Sequence, residues 1–192
     1  MLSYKEFKKG YLTEWVDRSQ AARKEAEELA NKDTTSLRDK YAYKDINQDL
    51  VFTLAGHKVE FKGENEENPK DKKYNFFTWD EAIERFGEPD KDGWRLLTKE
   101  EYEDLLSYPK GYDDNGSCYM IDGRLSLPSA GVRNVHGIVE GVGWMGYYWT
   151  SSSYTDVVRA AWLVSFIRSE GISLENYPVT EGCSVRLVRE VH

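Results

Sequence analysis

Three observations predict an α+β fold for this chain. Two segments, 78–87 and 98–109, carry complete signals for short capped helices. Several short apolar segments fit the two-residue period of strands, among them 50–61 and 184–190. From residue 111 onward glycine, serine and aromatic residues dominate, which is typical of short strands joined by many turns. We therefore expect helices followed by a loop-rich C-terminal half.

Both predicted helices have clear ends. Thr78 and Thr98 each open a capping box that a glutamate three residues later closes. The first helix is expected to end at Gly87 and the second ahead of Pro109. Their apolar positions recur at helical spacing and are Trp79, Ala82, Ile83 and Phe86, then Tyr102, Leu105 and Leu106.

The strand segments are shorter and are separated by turns. Within 50–61, Gly56 marks a bend or a hairpin turn, and a charged, solvated loop follows over 62–73. The segment 184–190 closes the chain as a strand. The loop-rich half also contains "RAAWLVSFI", residues 159–167, which is apolar on both faces of a strand.

The first 47 residues form a predicted N-terminal helical segment. Ser3 and Glu6 make a capping box, and the pattern predicts a helix over 3–31. Its aromatic stripe comprises Tyr4, Phe7, Tyr11 and Trp15. Two interpretations are open: the helix docks on its own domain, or residues 1–31 assemble a homo-oligomer.

Composition and charge exclude several classes of partner. The 192 residues are 40% hydrophobic, which suffices for one domain with its own core. A net charge of −8 argues against nucleic acid and against an anionic membrane surface. No apolar run approaches the ~18 residues of a transmembrane helix, and the N-terminus lacks the apolar core of a signal peptide. We expect no membrane insertion and no nucleic-acid binding.

Candidate metal ligands are sparse, and we expect no cofactor. Cys118 and Cys183 could form one disulfide, although two separate thiols are the favoured interpretation. Neither cysteine has metal-ligand spacing with another cysteine or a histidine. His136 lies in a predicted loop, either as a binding residue or simply exposed.

Two acidic motifs raise the question of calcium. "EPD" at 88–90 directly follows the end of the first helix, where proline is ordinary helix punctuation. In "YDDNGS" at 112–117, oxygens of Asp113, Asp114 and Asn115 could hold calcium, but an Asn-Gly turn explains the motif equally well.

The order of motifs resembles a known family. The motifs are "YNFFTWDEA" (74–82), "GWRLLTKEEYEDLL" (93–106), "LSLPSAGVRN" (125–134), "GYYWTSSSY" (146–154), "AAWLVSF" (160–166) and "GCSVRLVRE" (182–190). Together they resemble the Fibrobacter succinogenes major paralogous domain, in the formylglycine-generating-enzyme-like branch of the C-type lectin fold. The resemblance covers 48–192 and implies a C-type lectin-like ligand-binding domain: two helices packed on a small twisted antiparallel sheet, with the last strand pairing with the first.

The resemblance also bears on activity. The enzymatic branch of this fold oxidises a substrate cysteine through two copper-binding cysteines. Cys183 lies within "GCSVR", where the binding relatives usually carry a bulky apolar residue, so it is expected to be a small core residue. We therefore expect a protein that is not an enzyme, with the copper oxidase as an alternative.

Some members of this fold are variable proteins of diversity-generating retroelements, which suggests an interpretation of residues 159–167. Trp162, Val164 and Phe166 would face inward as scaffold, and Trp94 and Trp149 would be buried with them. The intervening residues would face outward with neighbouring loops. The predicted ligand-binding residues are Tyr147, Ser153, Tyr154, Val158, Arg159, Leu163, Ser165, Ile167, Arg168, Ser173, Asn176 and Tyr177. Tyrosine and serine enrichment is typical of adaptable binding surfaces. In the competing interpretation the second face is core, covered by the N-terminal helix.

The sequence thus predicts a non-enzymatic, receptor-recognition protein that displays a variable surface on this scaffold. Its expected partner is a protein or carbohydrate ligand on a cell surface, and its expected source is a phage, a prophage or a bacterium. It would act in a phage virion, in the cytoplasm or displayed on a cell. A structural subunit that assembles through its N-terminal helix is the further alternative.

Overall fold

A computed structural model describes residues 50–154 and 159–191. This part of the chain is α+β, with two short helices and several small antiparallel sheets. Neither of these helices is long and apolar enough to cross a membrane. The predicted N-terminal segment, 1–47, lies outside the described residues, and its two interpretations stay predictions.

The elements alternate between short strands and turns. The helices are α1 (Trp79–Phe86) and α2 (Lys99–Leu105). The strands are β1 (Val51–Leu54), β2 (His57–Phe61), β3 (Arg95–Leu96), β4 (Lys110–Tyr112), β5 (Cys118–Ile121), β6 (Leu125–Pro128), β7 (Val132–Arg133), β8 (Val139–Glu140), β9 (Met145–Tyr154), β10 (Ala160–Ile167), β11 (Gly171–Pro178) and β12 (Leu187–Glu190).

Both predicted capping boxes are present. Thr78 Oγ1 accepts a hydrogen bond from the backbone of Glu81, whose carboxylate accepts one from the backbone of Thr78. Thr98 and Glu101 repeat the arrangement at α2. Glu101 is almost fully buried and also receives both guanidinium branches of Arg95, at 2.8 and 2.7 Å. The second box therefore anchors α2 to β3 as well as starting the helix.

The hairpin predicted at Gly56 is confirmed. Two residues, Ala55 and Gly56, connect β1 to β2, with φ of 48° and 80°. Positive φ at both central positions is the requirement of a type I′ turn, whose twist matches that of the flanking strands. A φ of 80° is strained for any residue except glycine, which explains the glycine at position 56.

Four sheets are present in the described residues. Their strand orders are β1-β2-β12-β3, β11-β10-β9, β4-β5-β6 and β7-β8. The last strand pairs with the first strand-like segment, 50–61, as expected, but through its second half: β12 lies between β2 and β3. The outer edge of β1 is already occupied, because the Tyr108 hydroxyl donates to Thr53 O and accepts from Thr53 N, both at 3.3 Å. Strand β12 pairs with β2 instead, along the edge of β2 that β1 leaves free.

Two hydrophobic clusters lie on opposite faces of the sheet β11-β10-β9. Val164 and Phe166 belong to one, together with Phe52, Leu105 and Tyr119. Leu163 belongs to the other, whose members include Phe77, Phe86, Trp149 and Cys183. Strand β10 is thus core on both faces, which explains why its sequence does not alternate between apolar and polar residues.

A buried arginine joins three parts of the fold. Arg186, just before β12, is 2% exposed. Its guanidinium donates to Asn65 Oδ1, to the carbonyls of Lys62 and Gly63, and to that of Ser126 in β6, at 2.7 to 3.1 Å. Burial lowers the pKa of Arg186, since the charged form has lost water. Four oxygen acceptors take the place of that water.

We expect Arg186→Met to destabilise the domain by about 3 kcal/mol or more. Each of four acceptors would lose a donor, at about 1–3 kcal/mol each, partly offset by the desolvation cost that the cation no longer incurs. Arg189→Met is the matched control on β12, because Arg189 pairs with Glu60 in a half-exposed salt bridge and should cost less than about 1 kcal/mol. Equilibrium unfolding in urea measures both. Equal losses in the two variants would contradict this role.

Candidate functional site

The structure separates the predicted ligand-binding residues into exposed and buried ones. The prediction that Leu163 and Ser165 face solvent is wrong, because they are 0% and 1% exposed. Tyr147 is also buried, at 7%. Leu163 lies among Phe77, Trp149 and Cys183, so its own domain covers it.

The remaining predicted residues differ in exposure. The exposed ones are Ser153, Arg159, Arg168, Ser173 and Asn176, and the half-buried ones are Tyr154, Ile167 and Tyr177. Val158 lies outside the described residues. Of the predicted scaffold residues, Trp149 and Phe166 are fully buried, as expected. Trp94 and Trp162, which were expected to be largely buried, keep part of their surface exposed.

One face of the sheet brings four predicted residues together. Ser165 in β10 is directly opposite Tyr147 in β9 and Ser173 in β11. Alternate residues of a strand share a face, so Glu175 and Tyr177 lie on the same side as Ser173. The rings of Tyr147 and Tyr177 are 5.4 Å apart between centroids. We call Tyr147, Ser165, Ser173, Glu175 and Tyr177 the Ser165 platform.

Hydrogen bonds fix the polar centre of the platform. Ser173 Oγ donates to Glu175 Oε1 at 2.6 Å, and Ser165 Oγ donates to the same carboxylate oxygen. The two serine hydroxyl oxygens are 3.1 Å apart. The nearly inaccessible hydroxyl of Ser165 is therefore satisfied, and it forms the floor beneath a half-buried carboxylate and an exposed hydroxyl.

Glu175 is the platform residue that sequence reasoning missed. The signal was present, since Ser173, Glu175 and Tyr177 follow the two-residue period of a strand. The carboxylate is central to the platform, because it receives hydrogen bonds from both serines.

Negative charge surrounds the two tyrosines. Burial raises the pKa of Tyr147, and the carboxylates of Glu175, Glu170 and Glu140 raise it further. Burial also raises the pKa of Tyr177, with smaller contributions from Tyr147, Cys183, Glu181 and Glu140. Both phenols therefore stay neutral at physiological pH and can donate hydrogen bonds. The platform therefore combines a hydrogen-bond acceptor, the Glu175 carboxylate, with phenol donors.

A second group of predicted residues lies on the opposite face. Asn176 is paired with Trp162 across β10 and β11. The Trp162 ring meets Tyr154 edge-on at 5.3 Å and carries Lys99 Nζ 4.5 Å from its centroid. These contacts occupy the face and edge of the indole. Arg159, the residue just before β10, forms a surface salt bridge with Asp80 at 2.6 Å.

The acidic motifs take part in turns. In "EPD", Asp90 Oδ1 accepts hydrogen bonds from the backbone of Asp92 and Trp94, which closes the turn into β3. Asp113 Oδ1 likewise accepts from the backbone of Ser117 and Cys118. Within residues 50–154 and 159–191, no group of three or more histidine, cysteine, aspartate or glutamate side chains could hold a metal ion.

The cysteines are separate and buried. Cys118 and Cys183 are both free thiols in the described structure. Cys183 is fully inaccessible within the cluster that contains Leu163, as expected of a small core residue. Burial raises the pKa of the Cys183 thiol well above its usual value, and a thiol held in this protonated form is a poor metal ligand. His136 is exposed in the loop between β7 and β8.

No family model, curated protein or solved structure matches the chain. The family resemblance of the motifs therefore stays a prediction.

We expect Leu163→Ala and Ile167→Ala to differ strongly, although both positions lie on the same face of β10. Leu163 is completely buried, so its truncation should cost about 2–5 kcal/mol. Ile167 is half-buried at the C-terminal end of β10, so its truncation should cost about 1 kcal/mol or less. Chemical unfolding of both variants checks this. Similar small losses would show that the second face of β10 is not core.

Proposed function

We propose that this chain is a non-enzymatic ligand-binding protein that recognises a protein or carbohydrate on a cell surface. The observation that carries the proposal is the Ser165 platform, which assembles two serines, two tyrosines and a carboxylate on one sheet face. Four of these five residues were predicted to bind a ligand. The proposed contact area is the accessible part of the platform: Ser173, Glu175 and Tyr177, with Ile167 beside them at the C-terminal end of β10.

The chemistry of the platform suits recognition. Tyrosine combines a broad apolar ring with a hydroxyl, and serine adds hydrogen bonding that adapts to many partners. The bonds from Ser165 and Ser173 to Glu175 hold these groups in place in the absence of a ligand. Because the groups are already ordered, a ligand incurs a smaller entropic cost on binding.

The scaffold part of the proposal is a C-type lectin-like fold of the kind found in variable proteins of diversity-generating retroelements, from a phage, a prophage or a bacterium. It is supported by two capped helices beside small antiparallel sheets and by the buried Trp149 and Phe166. In such a protein, outward positions vary while buried ones are kept.

A binding measurement on intact cells tests the proposal. A panel of bacterial strains would be incubated with the fluorescently labelled full chain and with the Ser173→Ala/Tyr177→Ala variant. We expect binding to at least one strain, and about a tenfold or greater loss in the variant, because interface energy concentrates in a few residues. Periodate or protease treatment of the cells then distinguishes a carbohydrate from a protein ligand.

Asn176→Ala is the matched control, because Asn176 is exposed on the same strand but faces the other side of the sheet. It should bind like the parent. Loss of binding in Asn176→Ala alone would move the ligand to the opposite face. Copper-dependent loss of thiol from a cysteine-containing peptide would contradict the non-enzymatic proposal and favour the oxidase.

Natural variation offers an independent test of the retroelement origin. We expect a neighbouring reverse-transcriptase gene and a near-copy of the 3′ coding region that differs from the gene at adenines. The differences should fall on codons of exposed residues such as Ser173 and Tyr177, and the Trp149 codon should be unchanged, because its side chain is buried. Substitution at Trp149 in such a copy would contradict the assignment of scaffold positions.

A further inference from the structure

Residues 134–144 expose an unusual amount of apolar surface. Four large hydrophobic residues in this segment are exposed: Val135 (57%), Ile138 (56%), Val142 (57%) and Trp144 (46%). Elsewhere in the described residues only Val191, near the C-terminus, is a large hydrophobic residue of that class. Single exposed apolar side chains are ordinary, but four within eleven consecutive residues indicate an interaction surface.

The backbone of the 134–144 segment is fixed by its own hydrogen bonds. Asn134 Oδ1 accepts from the backbone N–H groups of His136 and Ile138, both at 3.0 Å. Gly143 N donates to Ser129 O at 2.7 Å. At Gly131 a Cβ atom would lie 2.3 Å from the carbonyl oxygen of Glu140, so the segment packs directly on that glycine. The apolar side chains are therefore held outward by a well-bonded loop.

Carboxylates border this apolar surface. Glu140 lies between Ile138 and Val142 and accepts a hydrogen bond from Asn134 Nδ2. Glu181 lies near Val135, whose backbone N–H group lowers the pKa of its carboxyl. Burial raises the pKa of Glu181, and the neighbouring Glu140 raises it further. One carboxylate thus belongs to the segment and a second lies beside it, and the two repel one another.

Few positively charged side chains lie near the segment, and one of them already forms a salt bridge. Arg133 is paired with Asp71 at 2.6 Å. Arg168 lies at one margin, where its backbone N–H donates to Trp144 O, and Glu170 follows it two residues later. His136 lies near Glu181 and partly offsets the rise in its pKa. The surface is consequently apolar with an acidic border.

We propose that the 134–144 segment is a docking surface for a separate polypeptide segment that carries large apolar side chains flanked by lysine or arginine. The apolar side chains of the partner would cover Ile138 and Trp144, and its cations would approach Glu140 and Glu181. Opposite charges at such a border accelerate association and exclude acidic competitors. This partner is distinct from the cell-surface ligand of the Ser165 platform.

A peptide selection tests the chemistry of the partner. A random twelve-residue peptide library would be selected on the immobilised full chain, with the Ile138→Ser/Trp144→Ser variant as counter-target. We expect peptides that bind the parent and not the counter-target to be enriched in Lys or Arg beside Trp, Leu or Ile. A representative peptide should bind the variant at least about tenfold more weakly, as expected for loss of central apolar contacts.

Three controls make the selection decisive. Glu140→Gln should weaken the selected peptide and flatten its dependence on salt, whereas Val191→Ser should change nothing. Both serine variants should keep melting temperatures within a few degrees of the parent, because the substituted side chains are exposed.

Each contrary outcome overturns the docking proposal. Recovery of no peptide, of neutral or acidic peptides, or of peptides that bind parent and counter-target equally would do so. If binding is lost in Ser173→Ala/Tyr177→Ala instead, the peptides occupy the platform, and the proposed function stands without this second surface. If sedimentation shows a dimer that Ile138→Ser/Trp144→Ser abolishes, the surface belongs to a second copy of the chain.

Discussion

The fold depends on a buried cation that has no carboxylate within salt-bridge distance among the described residues. The hydrogen bonds that its guanidinium donates go to neutral oxygens, in the 62–65 stretch after β2 and in β6, and the nearby carboxylate of Glu64 also favours its charged form. Asn65 extends this hydrogen-bond network, because its side-chain amide donates to the hydroxyl of Tyr148, which in turn donates to Pro128 O. One hydrogen-bonded chain thus joins three of the sheets. Isolated ions are costly in protein interiors, so these segments must meet for the guanidinium to be buried at all.

This constraint also bears on the position of the proposed recognition face, the Ser165 platform. Tyr148 in β9 points toward Arg186, so Tyr147, its neighbour along the strand, lies on the other side of the sheet. The platform is therefore backed by the hydrophobic cluster that contains Tyr148, Val164 and Phe166. Close packing also appears at Gly146, where a Cβ atom would lie 2.1 Å from the ring of Phe166. Binding groups on so well-packed a sheet are held more precisely than groups on loops.

Local signals in the sequence predicted local structure well. The capping boxes at Thr78 and Thr98 and the turn at Gly56 depend on residues close in the chain, and all three are present. Val164 and Phe166 face inward as predicted, but the predicted exposure of the second face of β10 was wrong, because residues as distant as Phe77 and Cys183 cover it. The spacing of apolar residues within one strand does not tell which distant residues will cover it. The role of Glu175 depends in the same way on pairing between strands, which brings both serines to its carboxylate.

The hydroxyl of Tyr108 has a consequence for how copies of this protein behave at high concentration. Edge strands with unpaired backbone groups invite another chain to add a strand, and this is a common route to aggregation. By bonding both backbone groups of Thr53, a single side chain closes the edge of β1 at that point. The Tyr108 hydroxyl thus blocks strand addition at Thr53, as a covering loop or a charged edge residue does in other proteins. The aromatic residue that closes this edge also packs on Phe52 in the core, so addition of a strand at Thr53 would first have to displace a packed side chain.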